Sequence, residues 1–262
     1  MNRSLLAIAL LCWPATRAAA HDFWMEPSSF SGSPGATIEV ALYVGDGAQI
    51  DEVGRSPDLV RFEAVSGATR RSVAAAPRSA PAGLTRLAEP GWTTLVYQSN
   101  PSFIELPAEK FESYLDDEGL EEISIERQRR GESLAPAHES YARYCKSLVH
   151  VGDAAGGHDA EVGLPIELVA DDDPALWRDG GALAFRLLFE GEPIAGRLVK
   201  LVHLEDPRLR LLGRTDLDGR VEFSPPRGGP WRVVSVHMLP ATPEIGGEWE
   251  SYWASLTFEL PE

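Results

Sequence analysis

Apolar and polar positions alternate over short stretches through most of this chain. In Thr37-Ile-Glu-Val-Ala-Leu-Tyr-Val44 every second residue is apolar, the period of a half-buried strand. Stretches 59–65, 69–74, 84–88 and 91–97 repeat the pattern, separated by Gly, Pro and Ser, and this rhythm predicts an antiparallel β-sandwich. From Pro107 the period changes. Phe111, Tyr114 and Leu115 recur at helical spacing with Gly119 as a stop, and a second helix is expected over 120–130, so a helical insertion of about 107–130 projects from the first domain.

Residues 141–151 return to a strand, and 152–163 form a polar, glycine-rich joint that includes His158. Another strand begins at 165–169, and a domain boundary is expected near 171–174. The last ninety residues predict strands at 182–189, 194–204, 209–214, 220–223, 231–238 and 255–260. Thr215-Asp-Leu-Asp-Gly219 reads as a hairpin turn in which Gly219 takes a positive φ; Asp216 and Asp218 lack the full calcium-loop pattern. The fold class expected is mainly β: two immunoglobulin- or transthyretin-like β-sandwich domains, at 21–170 and 171–262, with the small helical insertion in the first.

Residues 1–20 have another character. Arg3, an apolar run over 5–13 and the small residues Ala18-Ala19-Ala20 follow the order of a secretory signal, with cleavage expected after Ala20. The run is too short to span a bilayer. Leu11 before Cys12 argues against a lipoprotein site. The expectation is a periplasmic or secreted protein, and its mature amino terminus would be His21.

Composition adds two constraints. The formal charge is −16, with 40 acidic against 24 basic residues, and loss of Arg3 and Arg17 with the leader makes it more negative. Such a surface repels nucleic acid and anionic lipid and attracts cations weakly, although solubility alone accounts for most of these carboxylates. Only Cys145 remains after processing, so no intramolecular disulfide is possible. Between Tyr144 and Lys146 it reads as a small buried residue rather than a soft ligand.

Candidate chemistry concentrates at the new terminus. A free amino-terminal histidine closes a six-membered chelate ring on one metal ion through its α-amine and Nδ1, and nitrogen donors suit copper, nickel and zinc. The bland alternative is a frayed end that happens to begin with His. His237 is the second ligand candidate: along Trp231-Arg-Val-Val-Ser-Val-His-Met238 it shares a face with Val233 and Ser235, opposite Val234, Val236 and Met238, and so need not be core. His203 lies on an apolar face and reads as semi-buried structure; His138, His150 and His158 have no decisive partner in spacing.

Five motifs carry a resemblance: His21-Asp-Phe-Trp24 after the leader, Pro101-Ser-Phe-Ile-Glu-Leu-Pro-Ala-Glu-Lys-Phe-Glu112, Thr215-Asp-Leu-Asp-Gly219, Val236-His-Met238 and Trp249-Glu-Ser-Tyr-Trp-Ala-Ser-Leu-Thr-Phe258. Over nearly the whole mature chain they resemble the exported bacterial domain family of unknown function associated with nickel and cobalt uptake. The resemblance implies a periplasmic, metal-handling β protein whose carboxy-terminal half is similar to transthyretin-like and carboxypeptidase-regulatory-like sandwiches. It carries over only His21 and His237 as ligand candidates. Some nickel-uptake components have His as the second mature residue; here it is first, and a terminal His with a second His is a copper-like arrangement.

Three functions compete. The first is a noncatalytic periplasmic binder that takes nickel, cobalt or copper as cargo and delivers it to an inner- or outer-membrane metal transporter; no nucleophile constellation or phosphate loop speaks for an enzyme. The second is a copper-dependent oxidative enzyme, since His21 is similar to the terminal His of polysaccharide-cleaving oxidases. The third is a metal-free structural or adhesive module.

Overall fold

The computed structural model describes residues 21–262 apart from 46, 48, 76–77 and 154–156; the leader and its cleavage point lie outside the described residues. The protein is mainly β. In chain order the strands are β1 (Asp22–Pro27), β2 (Ser31–Gly32), β3 (Thr37–Gly45), β4 (Ile50–Val53), β5 (Leu59–Ser66), β6 (Thr69–Ser72), β7 (Gly83–Arg86), β8 (Gly91–Ser99) and β9 (Ser102–Leu106). Helices α1 (Ala108–Asp117) and α2 (Glu121–Arg130) follow, then β10 (Ala137–Val151) and β11 (Ile166–Ala170). After a 3-10 turn at Pro174–Leu176 come β12 (Leu183–Phe189), β13 (Glu192–Pro193), β14 (Leu198–His203), β15 (Arg210–Arg214), β16 (Arg220–Phe223), β17 (Gly229–Pro240) and β18 (Trp249–Leu260).

A ten-stranded sheet is the backbone of the molecule, in the order β15-β14-β17-β18-β10-β8-β5-β6 with β2 and β9 also paired to β10. Alternation along its strands aims side chains at two different covers. Trp231, Val233, Leu256 and Phe258 point to one face and pack on Leu168, Phe185 and Leu187 from the sheet of β11, β12, β13 and β16. On the opposite face, Cys145 and Val149 with Leu95 and Tyr97 pack on Phe23, Met25, Val40 and Leu42 from the sheet of β1, β3, β4 and β7. Further along that face Val236, Met238 and Trp249 are covered by Phe111, Tyr114, Leu115 and Ile123 of the two helices. The helices form because these apolar residues recur on one side of each; Gly131 at φ 73° ends α2 in the left-handed cap that glycine adopts without strain.

Two features differ from the sequence expectation. β11 pairs antiparallel with β12, Ile166 against Phe189 through Ala170 against Phe185, so it belongs to the second sandwich and not to the end of the first. The change of sandwich therefore falls between β10 and β11. The two halves are also not separate antiparallel units: β10 and β18 run parallel from Glu139 against Trp249 to Ser147 against Thr257, which makes one sheet common to both. A parallel neighbour requires a long crossover, and here the intervening second sandwich supplies it.

Candidate functional site

β1 is an edge strand of its sheet, paired with β3 alone, yet it is buried over nearly its whole length, which is why it lacks the alternation of a half-exposed strand. Asp22 stands opposite Gly45 of β3, and Phe23 and Met25 enter the core. Asp22 and Trp24 alternate to the other side and meet the ten-stranded sheet. One carboxylate oxygen of Asp22 accepts from Lys200 Nζ at 2.9 Å and the other from Arg232 Nη2 at 3.2 Å. Lys200 also donates to Glu118, at the end of α1, at 2.8 Å. The Arg232 guanidinium lies 3.9 Å from the centre of the Trp24 ring, a cation–π contact.

Burial sets the protonation of this cluster and the ion pairs correct it. Burial alone would raise the Asp22 pKa, but Lys200 and Arg232 outweigh it and hold the carboxyl below its ordinary value. For Glu118 burial wins: it is pushed up to about 7 against the pull of Lys200, with Asp22 adding to the rise. Lys200 is depressed by burial and raised further by Asp22 and Glu118, so it stays an ammonium. His21 is partly buried at the head of this strand. Its neighbour is therefore anchored, and a chain cut after Ala20 would present its α-amine from a fixed strand rather than a frayed end.

The structure does not bring His237 to His21. His237 follows Arg232, the residue that reaches Asp22, by five positions along β17, about 17 Å of strand, and five being odd puts the two side chains on opposite faces. The His237 ring stands edge-on to Phe189 with centroids 4.7 Å apart. Burial, then the nearby Arg197, push its pKa down to about 4, so the ring is neutral at pH 7. Metal–nitrogen bonds are only about 2 Å long. His237 is thus not a third nitrogen for an ion held at His21.

The remaining candidates resolve into structural roles. Nδ1 of His203 accepts from the backbone N–H groups of Glu205 and Asp206, both at 3.2 Å, and faces Arg227 at 3.1 Å, inside the fold. His150 stacks beside Trp92, its cross-strand partner, at 4.9 Å. His138 lies exposed between Glu248 at 3.4 Å and Glu105 at 3.6 Å. His158 stays in the polar joint, outside any strand. Cys145 is fully buried, and burial pushes its thiol up to about 12, which makes it inert. The Asp216 side chain accepts from the N–H groups of Asp218 and Arg220, both at 2.9 Å, as a turn residue does. Among the described residues no group of three or more His, Cys, Asp and Glu side chains is gathered for a metal ion, and no helix is long and apolar enough to cross a membrane.

The buried network of Asp22, Lys200, Glu118 and Arg232 was not read from the sequence. Its signal was present: Lys200 and Arg232 each interrupt an apolar strand, Leu198-Val-Lys-Leu-Val202 and Trp231-Arg-Val-Val234, and a charge inside such a run needs a buried partner. The partners lie 82 to 210 residues away in sequence.

A family model described as a domain of unknown function, DUF4198, matches residues 18–238. No curated protein matches the chain. Among solved structures, the D0-D1 domain of Intimin is similar at 12% identity, covering 90% of this chain and 97% of that one, with a TM-score of 0.22.

Proposed function

We propose, for a chain that belongs to the DUF4198 family, that its exported, processed form is a metal carrier in which His21 takes one nickel, cobalt or copper ion as cargo. The α-amine and Nδ1 of His21 form the chelate, and the other coordination positions are left to water or to a donor from the receiving transporter. The observation that carries this reading is the anchoring of Asp22 by Lys200 at 2.9 Å and Arg232 at 3.2 Å, directly beside His21. It supports a terminus held in one place, which lowers the ordering cost of chelation. A site with one bidentate residue suits exchange better than storage, because few protein bonds must break on release. The oxidative reading needs a second histidine at the ion, and His237, its candidate, packs on Phe189 on the face of β17 opposite to Arg232.

Calorimetric titration with nickel and copper of three proteins tests the proposal: the form beginning at His21, the same form extended by one residue, and His21→Ala. Binding at one ion per chain in the first, weakened at least tenfold in the other two, is the expected result. Equal affinity in the extended form would remove the amine from the site and overturn the proposal.

A further inference from the structure

Many arginines of this acidic chain hold a carboxylate: Arg61, Arg127, Arg186, Arg214 and Arg220 each lie within ion-pair distance of Glu or Asp. Arg71 and Arg86 do not, among the described residues. Both line one open notch of about 530 Å³, together with Pro34, Gly35 and Ala88, and no acidic side chain lines it. A second cavity, of about 360 Å³, also contains two such arginines, Arg178 and Arg227, but there Asp179, Glu205 and Glu262 share the wall. The first notch is purely cationic in a molecule of net charge −16.

Its construction holds the charge in place. Arg71 projects from β6, the outermost strand of the ten-stranded sheet, and Arg86 from the end of β7 in the other sheet of the same sandwich. Arg86 Nε donates to the Gly35 carbonyl at 3.2 Å, which lays the guanidinium across the turn and leaves its outer nitrogens for another acceptor. Gly35 has φ +88°, and a Cβ there would come within 3.3 Å of Arg86 Nη2. Glycine thus satisfies both the turn and the close approach of the guanidinium. Two like charges facing one open notch repel, and that repulsion is relieved when an oxyanion sits between them. Guanidinium forks match the geometry of tetrahedral phosphate.

We infer that the notch between β6 and β7 binds a phosphate group, with Arg71 and Arg86 as its two ligands. The group is either free phosphate or the headgroup of an anionic phospholipid; the chemistry that recognises it is the same, and the two are separated by experiment. This site is independent of His21 and survives failure of the metal reading.

Inorganic phosphate titrated into the processed protein, followed by NMR shifts of the backbone amides of 34–36 and 70–72, gives the test, with co-sedimentation on vesicles of pure phosphatidylcholine or with added phosphatidylglycerol as the second arm. Saturable shifts are expected, weakened at least tenfold in Arg71→Gln and in Arg86→Lys, and unchanged in Arg220→Gln. Arg71 is exposed, so its variant also serves as the check that loss of binding is not loss of fold. Sedimentation with phosphatidylglycerol vesicles alone, abolished by Arg71→Gln, identifies the lipid as the source; saturable shifts without sedimentation identify free phosphate. No shift and no sedimentation, or either one undiminished in the Arg71→Gln, Arg86→Lys double variant, overturns the inference.

Discussion

The Lys200 ammonium donates to the Asp22 carboxylate at 2.9 Å across 178 residues of sequence, and that bond fastens β1 to β14 of the ten-stranded sheet. The same ammonium holds Glu118 at 2.8 Å, so removing it leaves the buried Glu118 without a cation and Asp22 with Arg232 alone. Breaking a buried pair by deleting one partner costs about 3–5 kcal/mol. Lys200→Ala should therefore lower unfolding free energy in urea by about 3 kcal/mol, and Lys200→Arg should recover part of it. A loss below about 1 kcal/mol would show that the network does not secure β1.

A further buried carboxylate makes stability depend on pH. Glu139, on β10, lies beneath the helices, where Tyr114 donates to it at 3.0 Å and Ser251 also bonds to it. Burial pushes its pKa up to about 7 from 4.5, against the pull of the Ser251 and Tyr114 hydrogen bonds. A folded pKa above the unfolded one means that the folded state binds the proton more tightly. The resulting stability is full below about pH 4.5 and is lost as pH rises through 7; a shift of this size corresponds to about 3 kcal/mol at most. Glu118, pushed up to about 7 by burial, acts in the same direction. Glu139→Gln should flatten the decline in melting temperature between pH 5 and pH 8, and a profile of unchanged slope would assign that decline to other groups.

How much of this was legible follows from the range of the interactions. A strand with one covered face, such as β3, stands out by alternation, and α1 by the spacing of Phe111, Tyr114 and Leu115 with Gly119 as its stop before α2. β1 and the first half of β18 did not stand out, because both of their faces are covered: Trp249 and Trp253 point one way and Tyr252 the other, which erases the polar phase. β4 and β9 are short and largely exposed. Nothing local could indicate that β10 and β18 would pair in parallel, nor that Lys200 belongs to Asp22. The expectation of a chelating terminus at His21 rests on the order of residues in the leader alone, and the face on which His237 would lie relative to it was not legible.

Gly229 offers a test of the packing around His203. It has φ +96°, and a Cβ there would come within 2.9 Å of His203 Nε2. The His203 ring cannot retreat easily, since its other nitrogen accepts from the N–H groups of Glu205 and Asp206 and its face meets Trp231 at 4.8 Å. Gly229→Ala should destabilise by about 1–3 kcal/mol through backbone strain and overpacking. Thermal unfolding of this variant with and without His203→Ala separates the two terms. If the second substitution relieves none of the loss, the ring contact is not the cause.

His237→Leu distinguishes the carrier reading from any site that recruits a second histidine. The His237 Nδ1 is buried without a hydrogen-bond partner among the described residues, and the ring meets Phe189 at 4.7 Å. An unpaired polar nitrogen in an apolar setting costs free energy, so a leucine of similar bulk should leave stability unchanged or raise it by up to about 1 kcal/mol. Affinity for nickel or copper in the processed protein should stay within twofold, because five residues of β17 and the thickness of the sheet separate this ring from the strand that carries His21. A tenfold loss of affinity with stability intact would mean that the ion sits at His237, and the chelate at His21 would then have to be abandoned as the cargo site.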